Sequence, residues 1–171
     1  ATGTSYTIGS IAAGDAGNYD VVISGTCGNM TSAAAFLTVN TPPSITAQPA
    51  NATACEGTSA NFSVTAIGTG LTYQWRRNGV IISGETNPAL TLNNITTANA
   101  GNYDVVITGT CGNVTSNAAT LTVALNPVIT GQPVGDQVCE GSDVSFSITA
   151  TGTALTYQWR TDGAALAGQT A

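Results

Sequence analysis

One octapeptide constrains the fold more than any other feature of this chain. AGNYDVVI occurs at 16–23 and again at 100–107, and LTYQWR occurs at 71–76 and again at 155–160. Both pairs are offset by 84 residues, as are Cys27 with Cys111 and Cys55 with Cys139. A period of this size is one small domain, repeated in tandem. The 171 residues then divide into the back half of one domain (1–40), a complete domain (41–124) and the front half of a third (125–171).

Within the complete period, apolar residues alternate rather than recur at helical spacing. Phe62, Val64 and Ala66 share one face of a strand, as do Leu71, Tyr73 and Trp75, then Leu90 and Leu92, then Tyr103, Val105 and Ile107, then Leu121 and Val123. Such strands, separated by turns every 8–12 residues, predict an all-β chain of antiparallel sandwiches. Asn78-Gly79 and Asp162-Gly163 are hairpin turn signals. Pro49 interrupts the first strand, which places that strand at an edge. The only helical candidate is one turn at Thr96–Ala100.

Charge narrows the function classes. The chain has three Arg, no Lys, no His and nine acids, a net charge of −6. This opposes binding to nucleic acid or anionic membranes. No apolar run approaches the ~20 residues of a spanning helix, and no leader pattern is visible. Without His there is no His-based triad or His metal site, and the acids lack calcium-loop spacing. The reading is a non-enzyme without cofactor or metal. Asp20 and Asp104 are expected as solvated edge charges, and Arg76 as a side chain lying over the sheet or paired with an acid. Glu56 and Glu140 are expected to hydrogen-bond turn amides, with a place facing a neighbouring domain as the alternative. Tyr73, Trp75, Tyr157 and Trp159 fall on core faces rather than on a glycan platform.

Several motifs are more specific. NAGNY (99–103) and DAGNY (15–19) resemble the D-x-G-x-Y of immunoglobulin-like domains, with Tyr103 and Tyr19 as the corner tyrosines. Trp75 stands where that family keeps its core Trp. The two positions that usually carry the core disulfide hold Val64 and Val105 here, and Ile148 and Val21 in the flanking repeats. Together with CGNxTS and xLTV, these motifs resemble the tandem immunoglobulin-like repeats of giant bacterial surface proteins, particularly gliding-type adhesins of the Bacteroidota. The resemblance implies a core of Val64, Trp75, Tyr103 and Val105, and little about any ligand.

The cysteines fall elsewhere. Without CxxC or His, disulfides are the expected use, which implies an oxidising, extracellular compartment. Cys55 belongs to one end of the sandwich and Cys111 to the other, roughly 30–40 Å away, far beyond disulfide reach. Head-to-tail stacking brings one domain's Cys55-type turn to the next domain's Cys111-type turn. The expectation is therefore interdomain disulfides, with Cys55 joined to Cys27, and Cys139 to Cys111, of a neighbouring copy. Free thiols and an intradomain bond stay open as alternatives. Short proline-containing linkers, LTVNTPP (37–43) and LTVALNP (121–127), stiffen the joints. The function expected is a rod-like segment of an extracellular filament or adhesin stalk, whose partners are head-to-tail copies of the repeat and lateral filament neighbours. The alternative is a glycan- or protein-binding module.

Overall fold

The computed structural model describes residues 3–170, so the expected segment ends at Ala1, Thr2 and Ala171 lie outside them. In the first segment, β1 (Gly17–Tyr19) pairs with β4 (Ala35–Leu37), and β2 (Val22–Gly25) forms a hairpin with β3 (Gly28–Thr31). The central part follows: β5 (Ser44–Ala47), β6 (Ala52–Cys55), β7 (Ala60–Ser63), β8 (Thr65–Ile67), β9 (Thr72–Arg77), β10 (Val80–Ile81), β11 (Ala89–Leu92), β12 (Gly101–Gly109), β13 (Gly112–Thr115) and β14 (Ala119–Ala124). In the last segment, β15 (Val128–Gly131) pairs with β16 (Thr149–Thr151), and β17 (Gln158–Thr161) with β18 (Ala164–Thr170).

The central strands make a two-layer sandwich. One layer runs β10-β9-β12-β14-β6, with β13 also on β12; the other holds β5-β8 and β7-β11. Every pairing is antiparallel except β6 with β14. Pro49, which is buried, separates β5 from β6 at the point where the chain crosses between layers. Having no N–H, it ends one ladder without leaving a donor unpaired.

The second strand is expected to run unbroken over 59–66, yet it divides at Val64, whose N–H donates to Pro88 O instead of a ladder partner. The strand carrying Leu121 and Val123 likewise starts only at Ala119, because the chain breaks from β13 at Ser116. That buried hydroxyl accepts from Val105 N and donates to Asn117 O, so side-chain bonds replace ladder rungs there. The turn at Thr97–Asn99 is 3-10, closed by Asn99 Oδ1 accepting from Thr96 N.

The core lies between the layers. Trp75 and Val105 face each other in adjacent strands and are both fully buried; Val64 is 5% exposed and Tyr103 1%. The Phe62 ring stacks on Tyr103 at 4.9 Å and tilts toward Trp75 at 6.3 Å. Trp75 Nε1 donates to Asn87 O, and Tyr103 Oη to Asn99 O. Both polar tips thus keep a partner while their rings enter an apolar core, which avoids the cost of an orphaned buried donor. Tyr19 makes the same contact with Asp15 O. In the flanking segments the corresponding apolar residues lie open: Val21 and Ile23 are 50% and 64% exposed, and Phe146 51%.

Trp75→Ala will lower stability by about 3–5 kcal/mol, and Tyr103→Phe by about 1 kcal/mol. Urea unfolding checks both, the first by circular dichroism and the second by Trp75 fluorescence in a Trp159→Phe background.

Candidate functional site

The sequence motifs that the core does not consume gather at the two ends of the sandwich. At the entry end, three segments converge: the linker around Asn40–Pro43, the turn at 68–70, and the tip of the β12–β13 hairpin. Thr41 N donates to Thr69 Oγ1 at 3.0 Å, and Thr69 N returns a bond to Thr41 O at 3.1 Å. Thr110 donates to Thr69 O through both its N–H and its hydroxyl. Cys111 sits in the two-residue tip between Gly109 and Gly112, and its thiol donates to Asn40 O at 3.6 Å. Gly68 (φ +147°) lets these segments close together: a Cβ there would stand 2.9 Å from Pro43 Cα and 2.9 Å from Leu71 Cδ2. Gly152, at the corresponding place, is similarly confined by Pro127 and Leu155.

At the exit end, Cys55 stands opposite Ala124 in the parallel β6–β14 pair. The turn after it is held by Thr58, whose N–H and hydroxyl both reach Cys55 O, and by Gly57 N donating to Ile95 O. The Glu56 carboxylate makes none of the described turn bonds, contrary to the expectation for that residue. Its backbone acts instead: the N–H donates to Ala124 O, and the carbonyl accepts from the Asn126 side-chain amide at 3.3 Å. The turn amides of Glu56, Gly57 and Thr58 already donate to the carbonyls of Ala124, Ile95 and Cys55, which leaves no donor for the carboxylate.

All four cysteines are free and exposed. Cys27 occupies a hairpin tip like that of Cys111, and Cys139 O accepts from Ser142 N as Cys55 O does from Thr58 N. Cys55 and Cys111 are not brought together. Strand register puts Cys55 level with Ala124, three residues beyond Leu121, which is level with Gly101; Cys111 lies past Gly109 at the far end of β12. That separation is roughly 40 Å.

On the flat face, Arg76 Nε and Nη2 bind the two oxygens of Asp104 at 2.8 Å each. Asp104 is therefore an ion-pair partner, not the freely solvated charge expected from its outward position. These hydrogen bonds from Arg76 to the Asp104 carboxylate raise the guanidinium pKa further above its ordinary value, against a smaller opposing effect of burial. Both side chains remain partly exposed, so screening limits the pair to about 0.5 kcal/mol. A shallow groove of 480 Å³ is lined by Arg77, Asn78, Val80, Ile81 and Tyr103, among others. Tyr103 is buried, so the groove offers no aromatic face for a sugar to stack on. Among the described residues no three metal-ligating side chains converge, and no helix is long and apolar enough to cross a membrane.

Sequence reasoning missed Ile95, which is fully buried below the exit turn, and the clamps in which Asn117 N donates to Gln48 Oε1 and Thr120 N to Asn51 Oδ1. The proline between Gln48 and Asn51 was the available signal, since a chain changing layers leaves ladder donors for side chains to satisfy.

Gly68→Ala will destabilise the central sandwich by roughly 1–3 kcal/mol, read by urea unfolding. Thr69→Val will accelerate hydrogen exchange at the Thr41 amide, whose acceptor it removes.

Residues 42–108 match the sequence profile of the immunoglobulin domain family. No curated protein matches the chain. Among solved structures, titin domains I67–I69 (an E-to-A variant) superpose with a TM-score of 0.67 at 21% identity, covering 91% of this chain and 59% of that one. Sidekick-1 immunoglobulin domains 1–5 superpose with a TM-score of 0.59 at 25% identity, over 91% and 37%. Drosophila OTK extracellular domains 3–5 give 0.56 at 24%, over 92% and 56%. The chain thus spans well under two thirds of these multidomain structures. With its Trp core, tyrosine corner and two-layer topology, the central segment, whose residues 42–108 match the immunoglobulin profile, has an immunoglobulin-like fold within an all-β chain.

Proposed function

We propose that this chain is a structural segment of a tandem immunoglobulin-like array, working as a stiff spacer in an extracellular filament or adhesin stalk. The carrying observation is the linker between β14 and β15. It contains only Leu125, Asn126 and Pro127, and each is restrained. Leu125 exchanges bonds with Thr153, Asn126 reaches Glu56 O, and Pro127 has a fixed φ. A joint without a free residue resists bending.

The earlier linker is longer than its sequence suggests, six residues from Leu37 to Ser44. β14 continues to Ala124 because β6 pairs with it, whereas residues 38–40 have no such parallel partner among the described residues. Preceding and following stretches of the same repeat, joined head to tail, would supply that partner and cover Val21, Ile23 and Phe146. Sheet faces rich in Thr and poor in charge suit lateral packing of such rods. The likeness to tandem domains of Sidekick-1, and to OTK domains described as extracellular, supports the array and its location. Tension applied between residues 41 and 124 would load the β6–β14 rungs in shear, so that they resist together.

Extending the chain by appending a further copy of residues 88–171, which continues the period from Ala171, tests the reading. Small-angle scattering in reducing buffer should show the longest dimension growing by about 35–40 Å per added period. Growth of a compact particle, with little change in that dimension, would overturn the rod.

A further inference from the structure

The two ends of the sandwich share one backbone position. Cys111 places its thiol on the carbonyl of Asn40, the residue that leads into the domain. One period later, the residue corresponding to Asn40 is Ala124. Ala124 is the Cα partner of Cys55 in the parallel β6–β14 pair. The thiol of one domain's hairpin tip and the Cys55 of the domain before it are therefore delivered to the same linker residue from opposite sides of the joint.

From this convergence we infer that successive repeats are stapled by a disulfide between each Cys55-type residue and the Cys111-type residue of the following domain. The inference rests on the tandem-array reading and adds the pairing rule. Both cysteines are exposed and held by backbone rather than free-swinging: Cys55 by the Thr58 and Ala124 bonds around it, Cys111 within a two-residue turn. Formation proceeds by thiol–disulfide exchange. A thiolate of the pair attacks a small-molecule or protein disulfide, giving a mixed disulfide. The second thiolate displaces the bound half. Two protons leave the pair, and the incoming disulfide departs as two thiols carrying the two electrons. The bond spans the joint beside the Asn126–Glu56 contact and leaves the domain cores untouched.

Cys27 and Cys139 belong to the same two classes, with partners in adjoining repeats. In abutting copies of this chain the rule gives Cys55 with Cys27, and Cys139 with Cys111.

The test uses the full chain extended by the appended copy of residues 88–171, with Cys27→Ser and with Cys139→Ser in every copy. It is equilibrated with oxidised and reduced glutathione, and its intact mass and linked peptides are read. The expected species has lost two hydrogens, survives Cys111→Ser in the first copy, and disappears with Cys111→Ser in the second copy. The reverse dependence would show a bond within one domain, and a chain whose thiols all remain open to alkylation would show no staple; either overturns the inference. Scattering in reducing buffer judges the rod separately, so loss of the staple and loss of the array are distinguishable.

Discussion

The parallel pairing of Ala52–Cys55 with Leu121–Ala124 is the contact on which the rest of the architecture turns. It moves the first part of the chain out of the β5–β8 layer and onto the edge of the other, so that both layers are gripped by one segment. It extends β14 to Ala124 and thereby shortens the following linker to three residues. It also fixes the turn at Cys55–Thr58 beside that linker, where the Glu56 backbone can hold Ala124 and Asn126. The shortness of the linker and the placement of the Cys55 thiol are consequences of one strand changing layers.

Behind that edge, the core holds together without a covalent cross-link. Val64 and Val105 enclose Trp75 where a disulfide would otherwise pin the layers, and Phe62 and Tyr103 stack alongside. Burial of this aromatic and aliphatic surface contributes at ~25 cal/mol per Å², and the indole N–H and phenol O–H each find a carbonyl. Few charges participate. Hydroxyls and amides of Thr, Ser, Asn and Gln perform the joining that ion pairs perform in more charged proteins, at Thr69, Asn78, Asn99 and Ser116 among others. The proposed staple would sit at the joints rather than in the cores, where load would pass between domains.

Much of the fold is readable because strand periodicity is local. Alternation over Leu71–Trp75 and Tyr103–Ile107 marks one face of each strand, and these residues point to the facing layer. Glycine signals are also local: Asn78 takes a positive φ in its hairpin turn. Ile95 was illegible because it sits in a loop, outside any alternating run, and joins the core only where backbone bonds to Gly57 and Thr58 fix that loop. Glu56 misled because an acid in a turn suggests carboxylate capping, whereas the turn amides of residues 56–58 all donate to backbone carbonyls, two of them from distant segments. The partnership of Arg76 with Asp104 depends on the β9–β12 register, which no local pattern reports.

By itself, then, the sequence determined the repeat, the strand class, the inward faces, the turns and the absence of a histidine-based chemistry, since each follows from composition or from spacing along the chain. Tertiary structure alone decided which layer the first strand joins, which residue each clamp and ion pair meets, and that Cys55 and the position corresponding to Asn40 coincide at a joint. Those outcomes depend on pairing between segments up to 71 residues apart, as with Cys111 and Asn40. Register between distant strands is set by the packing of the whole sandwich, and a shift of one residue would turn every side chain of a strand to the other face.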